Sequence, residues 1–255
     1  MITIIGNYMS PFVRKVLVSL ETKGVPYRID PIVPFFGDDD FAKLSPLRRI
    51  PVLIEGDLTL CDSTVICEYL EERFPVPALL PASPADRARA RWIEEYADSR
   101  MADVFVWRVF AQLVLRRGVW DEQPDRELVA RTLAEDVPQV FDYLETIAPD
   151  EGWLVGDAAS IADIAIGSML RNFMIARQSI DAERWPRTAG LVARVHALPA
   201  FEALWRWEQV IAQTRGLAAQ RAALAQAGAP LTETSFAADA PRRGIMPLGE
   251  SAVSG

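Results

Sequence analysis

Histidine is almost missing from this chain: His196 stands alone, beside only two cysteines, Cys61 and Cys67. A single histidine excludes a histidine metal cluster, and a Ser/His/Asp triad would have to be built on that one residue. The cysteine spacing fits neither a CxxC redox pair nor a zinc site. Positive charge is also short: Lys plus Arg is 27 against 35 Asp plus Glu, a net charge of −8. A nucleic-acid binder neutralises phosphates with an excess of Lys and Arg, so nucleic acid is not an expected partner. No run of about 18 apolar residues is free of charge, which argues against a membrane span. Met1–Gly6 lacks the basic region of a secretory signal. The expectation is a cytoplasmic protein without metal and without a membrane partner. What is present is ordinary globular composition, 50% hydrophobic and 24% charged over 255 residues, enough for one large or two small domains.

Ile2 to Gly6 is short, β-branched and apolar, and reads as a buried strand. Ser10-Pro11 then has the chemistry of an N-cap followed by a first helical residue. Phe12, Val13, Val16, Leu17 and Leu20 recur at helical spacing, and Gly24 closes the helix. Tyr27 to Val33 reads as a second strand, parallel to the first through a right-handed crossover. Two short apolar runs, 51–54 and 58–60, flank Glu55-Gly56-Asp57 as a hairpin. Asp62-Ser63 opens another helix.

Four prolines between Pro75 and Pro84 mark a linker. Beyond it, residues 84–118, 123–147, 160–178 and 186–226 read as long helices, punctuated at Pro124, Pro149, Gly152, Gly156, Pro186 and Pro199. The expected organisation is therefore an α/β domain over 1–75, a linker over 76–84, an all-helical domain over 85–228, and a flexible tail over 229–255. The tail is read from its Ala, Pro, Ser, Gly and Thr content and its few large apolar residues.

Four places carry possible chemistry. At the start of the first helix, unpaired N–H groups and the helix dipole favour an anion, thiolates included. The Ser10 hydroxyl can cap that helix and still donate its proton outward, although Ser is a common N-cap with no further role. Arg49-Ile50-Pro51-Val52-Leu53 puts a proline at a strand start, either as a trans residue or as a cis turn. In the cis form the Ile50 backbone is left for an extended peptide ligand, with Arg49 placed for a carboxylate. Asp62-Ser63 is either a plain N-cap or a site for a head group bearing both charges. Ser160 and Asp163, three apart before Ile164 and Ile166, read as a capping box. Cys61 and Cys67 read as small buried residues, and His196 as a capping or surface residue.

Ser10-Pro11-Phe12, Arg49 to Leu53, Asp62-Ser63 and Ser160-Ile161-Ala162-Asp163, in this order over residues 1 to about 210, resemble the glutathione transferase family. That resemblance implies an α/β thioredoxin-like N-terminal domain, an all-α helical-bundle C-terminal domain and a homodimer. It also implies glutathione as co-substrate, no metal, and a role in detoxification. Carried over residue by residue, Ile50 before Pro51 would meet the cysteinyl backbone of glutathione. Asp62 and Ser63 would hold its γ-glutamyl group, Arg49 its glycyl carboxylate, and Ser160 with Asp163 would form the family's folding cap.

For the thiol activator, the serine-type spacing from Ser10 to Arg14 and the tyrosine-type position of Tyr8 both remain open, as does activation without a side chain. Ser10 stands where cysteine-type members have cysteine, which argues against thiol exchange. The electrophile would lie against Met9, Phe12, Phe35 and Phe36, with Met101, Phe105 and Arg108 from the helical domain, unless those side chains only pack the core. The function implied is conjugation of the glutathione thiolate to a small hydrophobic electrophile. The alternatives are a glutathione-dependent isomerase or lyase on the same scaffold, or a non-catalytic binding or regulatory member of the fold.

Overall fold

The structure is a computed structural model that describes residues 1–243. The described residues divide into two compact units: Met1–Ala78 together with 199–243, and Leu79–Leu198.

The first unit is built on a four-stranded sheet in the order β2-β1-β3-β4. Strands β1 (Ile2–Ile5) and β2 (Tyr27–Asp30) pair in parallel around helix α1 (Pro11–Lys23), as the crossover predicts. The hairpin of β3 (Val52–Glu55) and β4 (Leu58–Cys61) adds antiparallel to β1. The second strand ends at Asp30 rather than Val33, because Pro31 has no N–H for the ladder. A 3-10 turn (Pro34–Phe36) and helix α2 (Asp39–Leu44) follow β2, and helix α3 (Ser63–Arg73) follows β4. Ile4, Ile5, Val16, Leu17, Ile29 and Leu53 form the centre of this unit and are fully buried.

Register sets the site. Ile5 pairs with Asp30 on one side and with Val52 on the other, and Val52 pairs with Cys61. The segments just after β1, just after β2, just before β3 and just after β4 therefore leave the sheet at one end. Gly6 fits there because a side chain would not: a Cβ at this position would lie 2.4 Å from Val13 Cγ2 and 3.3 Å from Ile50 Cβ.

The second unit is helical, as expected. Helix α4 (Pro84–Tyr96) continues into an i→i+5 stretch (Ala97–Leu115) and then α5 (Arg116–Trp120). Helix α6 (Arg126–Arg131) runs through a second such stretch (Thr132–Asp136) into α7 (Val137–Ile147). Helices α8 (Ile161–Ile175) and α9 (Pro186–His196) complete the unit. Among the described residues, no helix is long and apolar enough to cross a membrane.

Two expectations need correction and one needs detail. The helical stretch 186–226 breaks at its punctuating proline and once more at a glycine. Pro199 cannot continue α9 and opens α10 (Pro199–Gln213), and Gly216, at φ +85°, separates α10 from α11 (Leu217–Gln226). The helical domain does not run to 228, because α10 packs on α1 and belongs with the sheet. Nor is the whole of 229–255 a free tail. Residues 230–232 lie beside the outer strand β2 and 236–242 beside the segment that follows it: the Ile29 amide donates to Pro230 O at 2.8 Å, and the Thr232 amide donates to Ile29 O at 3.1 Å. Composition registers side chains that can be buried, but this strap is held by backbone bonds to an open sheet edge. The remainder of the expected tail, 244–255, lies outside the described residues.

Candidate active site at one end of the sheet

Ser10 sits at the mouth of α1. Its Oγ accepts from the Val13 amide at 3.4 Å, and Pro11 at the first helical position has no N–H to satisfy. The Ser10 hydroxyl is half-buried and donates to no acceptor among the described residues, which leaves its proton for a ligand. Asn7 holds the loop in place. Its carbonyl accepts from the Ser10 amide at 2.9 Å, its Oδ1 from the Met9 amide at 3.0 Å, and its Nδ2 donates to Pro31 O at 2.9 Å. Sequence reading missed Asn7 as a brace, although an Asn just past a strand is the signal of such a side-chain turn.

Tyr8 points the other way. Its ring lies in the interior of the first unit, 6.1 Å from the Trp207 ring, and its hydroxyl is buried without a hydrogen-bond partner. Burial pushes the phenol well above the usual tyrosine range, and the negative charge of Glu21 adds to the shift. A phenol in that position neither ionises near neutrality nor reaches solvent.

The Ile50-Pro51 bond is cis. The β1–β3 pairing begins at Val52, so the Ile50 backbone stands outside the ladder. Arg49 is exposed, and its own backbone is clamped by Ser45: the Arg49 amide donates to Ser45 Oγ, and Ser45 Oγ donates to Arg49 O, both at 2.9 Å. Arg48, at φ +49°, turns its guanidinium back to Gly37 O at 2.7 Å and Asp38 O at 3.1 Å.

Asp62 is exposed and takes φ +80°, a conformation that costs a non-glycine residue roughly 1–3 kcal/mol. Its carboxylate caps α3 by accepting from the Thr64 and Val65 amides at 2.9 and 3.2 Å. Ser63 opens that helix and is buried. The strained Asp62 thus stands beside a helix N-terminus, at the same end of the sheet as the Ile50 backbone left outside the ladder. Cys61 is next in line, but its thiol donates to Leu44 O at 3.1 Å and burial pushes its pKa up, so it is no ready nucleophile.

The apolar residues assigned to an electrophile divide. Met9 and Phe12 are half-buried in the first unit beside Ser10. Phe35 is buried, and its neighbour Phe36 is half-buried. In the second unit, Met101 is fully buried, and Phe105 is locked in an aromatic cluster, 4.8 Å from Phe173 and 5.4 Å from Phe141. Those two side chains pack the core of their own unit. Arg108 is half-buried and paired with Asp103 at 2.7 Å and Asp136 at 3.2 Å. The cap on α8 is made by the Asp163 carboxylate, which accepts from Ser160 N, Ser160 Oγ and Leu154 N at 2.9–3.0 Å. His196 closes α9 with Nε2 2.9 Å from Gly167 O.

The parallel–antiparallel sheet thus carries, at one end, a cis-proline at a strand start, an N-capping serine after β1 and an acid–serine pair after β4. Residues 4–81 match the profile of the glutathione S-transferase N-terminal domain, and residues 101–204 match that of the C-terminal domain. The chain belongs to the glutathione S-transferase family, with its thioredoxin-like N-terminal domain and helical C-terminal domain. It is similar to maleylacetoacetate isomerase of Pseudomonas aeruginosa, with 31% identity over 76% of this chain and 91% of that protein. A glutathione S-transferase from Rhodospirillum rubrum F11 superposes with a TM-score of 0.73 and 29% identity over 80% of this chain and 91% of that one. The theta class enzyme of Xanthomonas axonopodis pv. citri, solved with glutathione bound, gives a TM-score of 0.68 and 28% identity over 79% and 95%.

Proposed function

We propose that this protein is a glutathione transferase that joins the glutathione thiolate to a small hydrophobic electrophile. The observation that carries the reading is the Ser10 hydroxyl, half-buried at the N-terminus of α1 with its proton uncommitted. In this reading Ile50 pairs with the cysteinyl backbone, Asp62 and Ser63 hold the γ-glutamyl group, and Arg49 meets the glycyl carboxylate.

A free thiol titrates near pH 8.5, so only a few per cent is thiolate at neutrality. A hydrogen bond from Ser10 and the positive end of α1 both favour the charged form, and each unit of lowering is worth about 1.4 kcal/mol. The thiolate sulfur then attacks the electrophilic carbon. A carbon–sulfur bond forms, and the electron pair leaves with a departing anion or is taken up with a proton on the adjacent atom. Met9 and Phe12 give that carbon an apolar surface to rest on. Homodimerisation and a cytoplasmic, detoxifying role belong to the same reading.

The second reading is a glutathione-dependent isomerase, favoured by the likeness to maleylacetoacetate isomerase over nine-tenths of that protein. It uses the same thiolate, which adds to a double bond and is expelled again after rotation. Glutathione consumption separates the two, since conjugation consumes one glutathione per turnover and isomerisation consumes none.

The deciding experiment is titration calorimetry of the full chain with glutathione, with Ser63→Ala as the comparison. The expected outcome is a Kd in the micromolar to millimolar range that the substitution raises about tenfold, a loss of about 1.4 kcal/mol. An absence of binding to the folded protein overturns both enzyme readings.

A further inference from the structure

The strap over residues 229–243 is pinned where the site is built. Asp30, at the site end of β2, is fully buried, and its carboxylate takes three donors: Arg221 Nη1 at 2.9 Å, Ser235 Oγ at 2.7 Å and the Phe236 amide at 2.8 Å. Arg221 also donates to Thr232 O, so helix α11 and the strap share this anchor. Beyond it the strap binds the segment after β2. Phe236 O accepts from the Asp38 amide at 2.9 Å, the Ala238 amide donates to Phe36 O at 2.6 Å, and the Arg242 amide donates to Phe35 O at 2.8 Å. Arg242 adds an ion pair to Asp39 at 2.7 Å.

These bonds do not come with close packing. An open cleft of about 570 Å³ lies between the strap, the segment after β2 and the start of α11, lined by Asp30, Ile32, Phe36, Leu217 and Ala238 among others. The strap is thus held by directed hydrogen bonds rather than by buried apolar surface.

The segment it grips is the one that supports the glutathione residues. The carbonyls of Gly37 and Asp38, between the strap's contacts, receive the Arg48 guanidinium. Arg48 leads directly into Arg49, clamped by Ser45, and then into Ile50-Pro51. We infer that the C-terminal strap is a positioning device for the glutathione site: anchored on Asp30, it fixes residues 35–49 and so the placement of Arg49 and Ile50. The network is contiguous, from a buried carboxylate through backbone pairing to the clamp. The consequence for ligand binding rests on the function proposed above.

The test keeps the full chain. Phe236→Pro/Ala238→Pro removes the two strap amides that donate to Asp30 and to Phe36 O. Hydrogen–deuterium exchange over residues 35–49 is expected to quicken by about tenfold or more, the signature of local opening. The glutathione Kd is expected to rise several-fold, while turnover at saturating glutathione and the helical circular dichroism stay as in the parent. Arg221→Ala unpins the strap without a new proline and is expected to give the same pattern; it decides the matter if the double variant does not fold. Unchanged exchange over 35–49, or faster exchange with an unchanged glutathione Kd, overturns the inference. If the parent chain binds no glutathione, the proposed function fails, and exchange over 35–49 alone upholds or overturns the strap's hold on that segment.

Discussion

Two hydroxyls two residues apart have opposite surroundings. Ser10 presents an uncommitted proton at a helix mouth, whereas Tyr8 is sealed among Trp207 and its neighbours with nothing to bond. Both side chains were open candidates in the sequence because both follow β1, and the turn braced by Asn7 holds the loop in which one faces outward and the other inward. A hydrogen bond to a charged group is worth about 1.5–3 kcal/mol. Ser10→Ala is therefore expected to lower turnover by roughly 10- to 100-fold while leaving the glutathione Kd within a factor of a few. Tyr8→Phe is expected to leave turnover unchanged and to hold or raise the melting temperature, because an unpaired buried hydroxyl costs about 1–3 kcal/mol. Steady-state kinetics and thermal melts on both variants check this, and a larger kinetic loss in Tyr8→Phe would transfer the activating role to Tyr8.

At the scale of elements, legibility depended on whether a helix carries its own ends. Helix α1 does: Ser10, Pro11 and Gly24 are all local, and its limits were read correctly. Helix α9 does not. Trp185 at its N-cap contributes no capping side chain, and the first turn is satisfied instead by Glu145 of α7. That carboxylate accepts from Arg187 N, Thr188 N and Thr188 Oγ1 at 3.0, 2.9 and 2.7 Å. A cap delivered from about 40 residues away leaves no trace in local spacing. It does leave one in titration. Partial burial opposes ionisation of Glu145, but the bonds from Thr188 and Arg187 prevail, and its pKa falls below the ordinary glutamate value. A depressed folded pKa stabilises fully above the unfolded value and loses that contribution as pH falls through the folded one. Glu145→Gln is thus expected to cost about 1 kcal/mol at pH 7 and to cost progressively less below about pH 4. Urea melts of both proteins from neutral to acid pH measure it.

For the whole molecule, what could be read was what repeats locally: strand alternation, helix faces, hairpin chemistry, and the order of four short motifs. The sheet register then gathered Ser10, Ile50, Asp62 and Ser63 at one end, a convergence no single motif announces. What could not be read was charge pairing over distance. Arg14 and Lys23 of α1 are both buried, and nothing in the local spacing names their partners. Lys23 meets Glu71 at 2.7 Å, and Arg14 meets Glu208 of α10 at 2.6 Å, 194 residues away.

The Arg14–Glu208 pair joins α10 to α1, beside the buried apolar face of α10, and it reaches the loop of the candidate site. Arg14 also reaches the Tyr8 carbonyl at 3.4 Å, beneath the loop that carries Ser10. Removing one member of a buried pair leaves a charge without its partner in a low dielectric, which costs about 3–5 kcal/mol, whereas replacing both with apolar residues of similar volume is often nearly neutral. Glu208→Ala and Arg14→Ala are each expected to destabilise by about that much, and Arg14→Met/Glu208→Leu by much less. Denaturant melts of this cycle measure the coupling. If the pair serves the site as well as the fold, the double apolar variant will regain stability without regaining turnover, because the guanidinium that donates to the Tyr8 carbonyl is then gone. Full recovery of both would show that the pair only joins α10 to α1.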